Sequence, residues 1–413
     1  MTQFQPIRGV VDQFPESNAC WQHIISKLVE NVDLMGYKEI KLPILEQTEL
    51  FLRSVGTQSD IVQKEMYSFE DHGKEHLCLR PEGTAGCMRA YLNQCFREAP
   101  FQRFWYYGPM FRRERPQKGR LRQFHQFGLE IIGYDEIMPE IELLLLGHRL
   151  FDELIQNSKP VLEINYLGGK ESRASYTNAL KEYFSTYKND FDEIHLYRYE
   201  NNILRLLDTK DDAILKLVKN APKLSDYITH DDATAFNTMK KIIDELGIPY
   251  VVNERLVRGL DYYSGLVFEW VSDQLGAQGT ICAGGRYNGL SNQIGGPDVF
   301  ATGLSIGIER LVSLVEYDTE QKKAIYLVPD TQEDLIAMPS LVSLLHEEQI
   351  PLFSHFCVSQ RKKQIKRANK YGAKYIGFVT QEKVEIIDLV QDNESVSLKH
   401  NEVKAFYERR LRS

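Results

Sequence analysis

The sequence predicts an α+β protein: a core of strands and helices carrying a helix-rich insertion, followed by a separate small α/β domain. Three observations predict it. Phe104–Phe111 and the stretch from Phe124 read as two strands joined by the basic segment Arg112–Gln123, far longer than the roughly two to five residues of a plain hairpin turn. Between about residues 165 and 247 the chain becomes polar and helix-forming (ESRASYTNALKEYFSTY, DDATAFNTMKKIIDEL). Beyond a charged, turn-prone stretch at Glu316–Lys323, strand-like and helix-like segments alternate to the end. The expected division is therefore 1–320 and 321–413.

At 413 residues the chain has room for two or three domains. It is 43% hydrophobic and 11% aromatic, enough to bury sizeable cores, and no segment has a disordered composition. The net charge is −8, so contact with RNA would require positive charge concentrated locally. Cys20, Cys78, Cys87, Cys95, Cys282 and Cys357 form no CxxC pair, which speaks against a zinc site or disulfide scaffold and fits a reducing cytoplasm. MTQFQPIRGVVDQF lacks an apolar signal region and no run approaches the ~18 apolar residues of a spanning helix. A cytoplasmic protein with no membrane partner is expected.

Pro15–Met35 reads as an amphipathic helix, with Trp21, Ile24, Ile25, Leu28, Val29 and Val32 at helical spacing and Gly36 ending it. YKEIKLPILEQ then alternates as a strand, with Pro43 placing it at an edge or a bend. LCLRPEGTAGCM, Leu77–Met88, is a strand entering a helix. At its junction Gly83 lets backbone approach a ligand closely, while Glu82 has a plainer role as a carboxylate at a helix start. His72 and His76 stand four apart, but EDHGKEH is turn-like, so no metal site built from protein side chains is expected.

The loop carries Arg112, Arg113, Arg115, Lys118, Arg120 and Arg122 against the single acid Glu114. It reads either as a solvated basic loop or as a polyphosphate site, since guanidinium forks match phosphate oxygens bidentately. The strand that follows shifts the balance. Its alternation puts His125, Phe127, Leu129 and Ile131 on one face and Gln126, Gly128 and Glu130 on the other. Two polar groups flanking a residue without a side chain leave room for a small ligand.

Glu140 to Ser158 is helical, and the insertion after it carries no chemical motif. In ERLVRGLDYYSGLVFEW, Val257–Tyr263 mixes strand formers with Arg258, Asp261, Tyr262 and Tyr263, and Leu266–Val271 is a further strand. An arginine in a central strand is costly to bury unless it meets an anion, whether Asp261 or a ligand. AGGRYNGL and TGLSIGIERLVSLV supply glycines that let strands and a helix pack closely; they match neither a P-loop nor GxGxxG. In the last part AIYLVPD, IPLFSHF, KYIGFVT and VEIIDLV make a mixed sheet with a helix near 334–348. Gln360–Lys374 is a basic helix without an acid, with Lys362, Lys366, Lys370 and Lys374 on one face.

FRRERPQKGRLRQFHQFGLE, LVRGLDYY and AGGRYNGL together resemble the histidyl-tRNA synthetase family of class II aminoacyl-tRNA synthetases, and the resemblance runs from IRGVVDQFP at Ile7 to the C-terminal segment. It implies a class II antiparallel-sheet catalytic core, a C-terminal anticodon-binding-like domain and a homodimer built through the first helix–strand pair. It further implies ligation of histidine to tRNA(His), with ATP as substrate and Mg²⁺ bound to the ATP phosphates. On this resemblance Glu82, Gly83, Thr84 and Gln126 hold the amino end of histidine, and Glu130, Tyr262 and Tyr263 line the imidazole pocket. Arg112 and Arg258 face the α-phosphate, Arg258 also meeting the substrate carboxylate, while Arg120 and Arg310 hold the outer phosphates. Arg115 and Gln117 would reach the 5′ end of the tRNA, and Lys362 and Lys366 would contact RNA from the last domain.

The insertion either leans on the tRNA acceptor arm or is a stabilising helical cap. Asn288 stands where the family usually has Asp, and Ser264-Gly265-Leu266 departs from a usual Thr-containing run, so local packing there is open. A regulatory paralogue that partners an ATP phosphoribosyltransferase is the alternative from another class. LVRGLDYY and the C-terminal segment favour the ligase.

Overall fold

The computed structural model describes residues 4–411 apart from 57, 58, 60, 118, 202, 208–210, 258–261, 318–323 and 391–393. Two units emerge, Met1–Tyr317 and Asp318–Ser413.

The first unit opens with helix α1 (Pro15–Leu34), whose proline sits in the first turn, where a missing N–H costs nothing. Trp21, Ile24, Leu28 and Val32, spaced by three and four, are buried. The single strand expected over 37–47 is instead two short ones, β1 (Lys38–Glu39) and β2 (Leu45–Gln47), which join different sheets. Pro43 lacks a ladder donor, and the neighbouring Leu42 carbonyl accepts from the Arg80 guanidinium at 2.9 Å. After α2 (Thr48–Val55), strands β3 (Tyr67–Glu70) and β4 (His76–Leu79) complete a small antiparallel sheet in the order β2-β4-β3. His72 lies in the β3–β4 turn and His76 opens β4.

Helix α3 (Thr84–Gln94) leads into β5 (Gln102–Phe111) and β6 (Gln123–Ile132). These pair antiparallel along their whole length, from Gln102↔Ile132 to Phe111↔Gln123, so the basic loop springs from the end of a rigid ten-residue ladder. Then come α4 (Met138–Leu154), β7 (Val161–Tyr166), the helices α5 (Lys170–Ser185), α6 (Glu193–Asn201), α7 (Asp212–Val218) and α8 (His230–Glu245), and β8 (Tyr250–Val252). Strands β9 (Ser264–Val271), β10 (Thr280–Arg286) and β11 (Ala301–Gly307) follow, with α9 (Leu290–Gln293) before β11 and α10 (Ile308–Val312) after it. The main sheet has the order β1-β5-β6-β11-β10-β9-β7-β8. It is antiparallel through its centre, with one parallel pair at each edge.

Asn165 belongs to β7, where its amide donates to the Leu256 carbonyl at 2.9 Å; the helical stretch starts after Tyr166. Helices α5–α7 pack their apolar residues in one cluster with Tyr106, Tyr262 and Tyr263. Helix α8 instead returns Met239 and Ile243 to the cluster built on α1 and α4. Asn288 takes the role that an aspartate oxygen could fill, its side-chain carbonyl accepting from Ala301 N at 3.0 Å. At the other departure, Gly265 adopts φ +60° and ties its own N–H and carbonyl to Gly168 and Leu167.

The second unit contains β12 (Ile325–Pro329), α11 (Met338–Glu347), β13 (Leu352–Ser354), α12 (Arg361–Lys370), β14 (Tyr375–Val379), β15 (Lys383–Asp388), β16 (Ser395–Lys399) and α13 (Val403–Leu411). The sheet, in order β13-β12-β14-β15-β16, is mixed: its first three strands are parallel and the last two antiparallel. The basic helix is shorter than its charge pattern suggests. Tyr371 N and Gly372 N turn back to the Arg367 and Asn369 carbonyls, so Lys374 falls outside the helix and its ammonium lies 5.5 Å from the Tyr375 ring.

Candidate active site

A cavity of about 330 Å³ opens over the exposed face of β6, β9, β10 and β11 in the first unit. Its walls include Glu82, Thr84, Arg112, Arg120, Gln126, Tyr262, Tyr263 and Arg310. Eight of the sequence-derived candidates thus meet in one place although they come from four separate stretches of chain. The register explains this convergence. Gly128 and Gln126 of β6 lie opposite Ser305 and Gly307 of β11, so the polar face of β6 continues across the sheet to the start of α10.

One end of the cavity is cationic. The Arg112 Nε donates to the Pro81 carbonyl at 2.9 Å, and its guanidinium lies 5.2 Å over the Phe124 ring, which turns the forked end towards the cavity. Arg310 donates to Gly119 O at 2.8 Å and Thr280 O at 2.5 Å. Burial, then the proximity of Arg120 and Arg112, lower its pKa from the usual guanidinium value. Like charges crowd here, opposed by Glu114, paired to Arg120 at 2.8 Å, by Glu269, and by Glu82 on the side of Arg112. A ligand with several negative charges relieves that arrangement.

The other end is polar and deep. Glu82 is both a cavity group and a helix cap: its carboxylate accepts from Thr84 N at 2.6 Å and Ala85 N at 2.9 Å. Burial raises its pKa, partly offset by those two N–H groups. Gln126 Oε1 and Ser305 Oγ are buried and have no hydrogen-bond partner among the described residues. Buried polar atoms are nearly always paired, so two orphans facing one cavity mark a ligand position.

Glu130 is 1% exposed and does not line the cavity. Its two oxygens accept from the Tyr106 hydroxyl at 3.0 Å and the Tyr287 hydroxyl at 2.5 Å. Desolvation pushes its pKa up to about 8, against the lowering effect of those bonds and with Glu82 adding repulsion. The Tyr106 ring is clamped between glycines. A Cβ on Gly83 or on Gly128 would lie 2.2 Å from it, so both positions need glycine for close approach rather than for an unusual φ. Tyr262 and Tyr263 are buried side by side, ring centroids 4.7 Å apart, with Tyr262 also edge-on to Tyr287 at 5.7 Å.

Of the other candidates, Gly83 lies beneath Tyr106, and Arg115 and Gln117 are exposed on the loop away from the cavity wall. Arg258 falls outside the described residues. Lys362 and Lys366 are exposed on α12 in the second unit. Sequence reasoning missed Tyr106, Phe124, Glu269, Tyr287 and Ser305. Glu269 had a readable signal, an acid inside the apolar run LVFEWV; the tyrosines and Ser305 had none beyond strand alternation.

A family model for histidyl-tRNA synthetase matches residues 9–311. A histidine–tRNA ligase from Francisella philomiragia is 41% identical over 423 residues, spanning 99% of this chain and 99% of that protein. The crystal structure of apo Staphylococcus aureus histidyl-tRNA synthetase superposes with a TM-score of 0.81 at 29% identity, covering 98% of this chain and 100% of the other. A histidyl-tRNA synthetase from Nostoc sp. PCC 7120 shares the fold at a TM-score of 0.69 and 19% identity, over 99% and 100%.

Proposed function

This chain belongs to the histidyl-tRNA synthetase family, and from that premise we propose how its cavity carries out the two steps of histidine–tRNA ligation. The protein is an ATP-dependent ligase: it activates histidine as histidyl-adenylate with release of pyrophosphate, then transfers the histidyl group to the terminal ribose of tRNA(His). In the first step a histidine carboxylate oxygen attacks the α-phosphorus and the bond to the bridging oxygen of pyrophosphate breaks. In the second, the ribose hydroxyl attacks the activated carbonyl and AMP leaves. No residue needs to become covalently attached, so catalysis is orientation and charge stabilisation.

The observation that carries the assignment of ends is the crowding of Arg112, Arg120 and Arg310 at one end of the cavity. The triphosphate belongs there, with Arg112 on the α-phosphate and Arg120 and Arg310 on the outer two. Phe124, beneath the Arg112 guanidinium, offers a ring face for the adenine. Arg258 completes the α-phosphate and carboxylate contacts. Gln126 Oε1, orphaned and buried, accepts from the substrate ammonium together with Glu82 and Thr84. Tyr262 and Tyr263 face the imidazole, and Glu130 with Tyr106 and Tyr287 forms the buried set packed behind them.

The donor set suits Mg²⁺ arriving with ATP: Glu269 on the cavity wall is a hard oxygen ligand opposite the arginines, and Mg²⁺ typically needs only one or two carboxylates beside phosphate oxygens. Bound there, the ion would neutralise phosphate charge. Among the described residues no group of three metal-ligating side chains exists, so a dedicated protein cage is not part of this reading.

Contacts to tRNA are assigned to Arg115 and Gln117 on the exposed loop and to the second unit. There, besides Lys362 and Lys366 on α12, the unit exposes an aromatic surface. Tyr371 and Phe353, 58% and 38% exposed, sit with ring centroids 5.6 Å apart, a platform on which unpaired bases can stack. Arg361 has another task, pairing with Asp330 at 2.6 Å and Glu385 at 2.8 Å. Exposed Leu45 and Phe69 on the small sheet, with Ile44 just before it, support a homodimer through that face. No helix among the described residues is long and apolar enough to cross a membrane, and the assigned compartment is the cytoplasm.

ATP–pyrophosphate exchange with each of the twenty amino acids tests the reading, and exchange with histidine alone is expected. Folded Arg258→Ala should lose exchange; near-normal exchange by that variant would remove Arg258 from the site.

A further inference from the structure

The N-terminal turn at Ile7–Val10 lies outside every role given above, yet it touches the basic loop at two points. Val10 N donates to the Ile7 carbonyl at 2.9 Å and closes the turn, with Gly9 at φ +86°. The Gly9 carbonyl then accepts from Arg122 N at 2.7 Å, at the point where the loop rejoins β6. Around the bare α-carbon the packing is closed. A Cβ on Gly9 would lie 2.7 Å from Pro116 Cγ, in the middle of the loop, and 3.0 Å from Arg122 Cγ.

The segment contributes little to the core. Phe4, Ile7, Val11 and Phe14 are all more than half exposed, from 54% to 100%, so its apolar side chains are not what fixes it here. What it does touch is held on the far side by the site itself, where the Arg310 Nε donates to Gly119 O at 2.8 Å; within the loop, Arg120 pairs with Glu114. The loop is thus pinned between the turn and the cationic end of the cavity. Further ties lie at its start, where Arg113 N donates to Glu65 O at 2.6 Å and the Arg112 Nε to Pro81 O at 2.9 Å.

We propose that Gly9 is a positioning residue for the basic loop: its carbonyl and its missing side chain together fix the loop at the distance from Arg310 at which Arg112 and Arg120 grip a triphosphate. The proposal rests on the reading of the loop as the ATP site. It separates two ends of one cavity, because Gln126, Glu82 and the tyrosines hang on β6, α3 and the α5–α7 packing rather than on the loop. Displacing the loop therefore weakens ATP binding and leaves histidine binding alone.

The test compares the full-length wild type with Gly9→Ala, Pro116→Ala and the double variant. ATP and histidine affinities are each measured by calorimetry, and the ATP and histidine KM values by pyrophosphate exchange. Calorimetry reports on ATP whether or not the amino acid is histidine, so a failure of the functional reading appears in wild-type exchange and is not confused with a failure of the clamp. The methyl of Gly9→Ala should raise the ATP Kd and KM at least about tenfold, since small misplacements of binding groups cost that much or more. Histidine affinity should stay within about twofold and the melting temperature should barely move, strain at one turn outside the hydrophobic clusters being too small to unfold the unit. Pro116→Ala alone should bind ATP as wild type does. Adding it to Gly9→Ala should restore most of the ATP affinity, because it removes the nearest atom the methyl strikes and leaves only the flexible Arg122 stem to shift. An unchanged ATP Kd in Gly9→Ala overturns the proposal. So does an equal loss of histidine affinity, or a double variant that recovers nothing, since the defect would then lie in the turn's own strain rather than in loop position.

Discussion

Tyr287 donates its hydroxyl to Glu130 at 2.5 Å, in a place where the carboxyl has almost no access to water. Two tyrosine donors do not offset the desolvation, and the carboxyl pKa stands at about 8 rather than 4.5. The folded state therefore holds this proton more tightly than the unfolded chain. Between pH 4.5 and about 8 the folded form binds more protons, so its stability falls as pH rises through that window. Glu130→Gln, which cannot titrate, should lose this component. The difference in melting temperature between variant and wild type, without ligands, should shift in favour of the variant from pH 5 to pH 8 and level off above. A difference that is flat with pH would mean that Glu130 is already ionised in the folded state at pH 5.

The orphaned Gln126 Oε1 leads to a trade of stability against binding. An unsatisfied buried acceptor costs about 1–3 kcal/mol, whereas a hydrogen bond to a charged group contributes about 1.5–3 kcal/mol. Gln126→Leu, close in volume, should leave the ligand-free protein as stable as wild type or more so, by up to a few degrees in melting temperature. Its histidine affinity should drop about 10–100-fold. Calorimetric titration of histidine beside a thermal melt reads both. A variant that is destabilised and binds histidine normally would assign Gln126 to the fold.

Much of this site is legible because it is built on strand alternation. The face of β6 that carries Gln126 and Glu130 follows from a period of two, and the strands flanking the basic loop follow from their aromatic and apolar content. What alternation cannot give is depth. Glu130 shares a face with Gln126, yet lies behind Tyr106 and Tyr287, because Tyr106 from the neighbouring strand fills the room above Gly83 and Gly128. Glu82 was readable both as a helix-start carboxylate and as a site group, and its two backbone contacts at Thr84 and Ala85 fit the first while its place on the cavity wall fits the second. In the second unit, β16 left no signal in the sequence since almost all its residues are exposed. The four-lysine face was overread because the helix period says nothing of the turn at Tyr371–Gly372 that ends it.

Arg112 tests whether the cationic end works by charge alone or by geometry. Its Nε is committed to the Pro81 carbonyl and its plane rests on Phe124, so only a planar fork can both hold that position and reach a phosphate. Lysine keeps the charge and loses the fork. Arg112→Lys should slow adenylate formation by about 10²–10³, the usual effect of removing a donor aimed at developing charge. Histidine affinity should be unchanged. Single-turnover adenylate formation is the measurement, and a loss below about threefold would show that charge without geometry suffices.

Charge reversal on the basic face of α12 would separate the proposed RNA contact from chemistry, because pyrophosphate exchange requires no tRNA. Lys362 and Lys366 are exposed and one turn apart, and neither belongs to the ion pairs that occupy Arg361. Lys362→Glu combined with Lys366→Glu should raise the tRNA KM of aminoacylation about tenfold or more at low salt and lower the slope of log affinity against log salt by ~1 per phosphate contact removed. Tyr371→Ala should weaken tRNA by about 1–3 kcal/mol, the worth of one stacked base, with the salt slope unchanged. In both variants histidine-dependent exchange should match wild type. If the charge reversal leaves the tRNA KM and its salt dependence as they were, α12 is a solvated face and the RNA is held elsewhere on the unit.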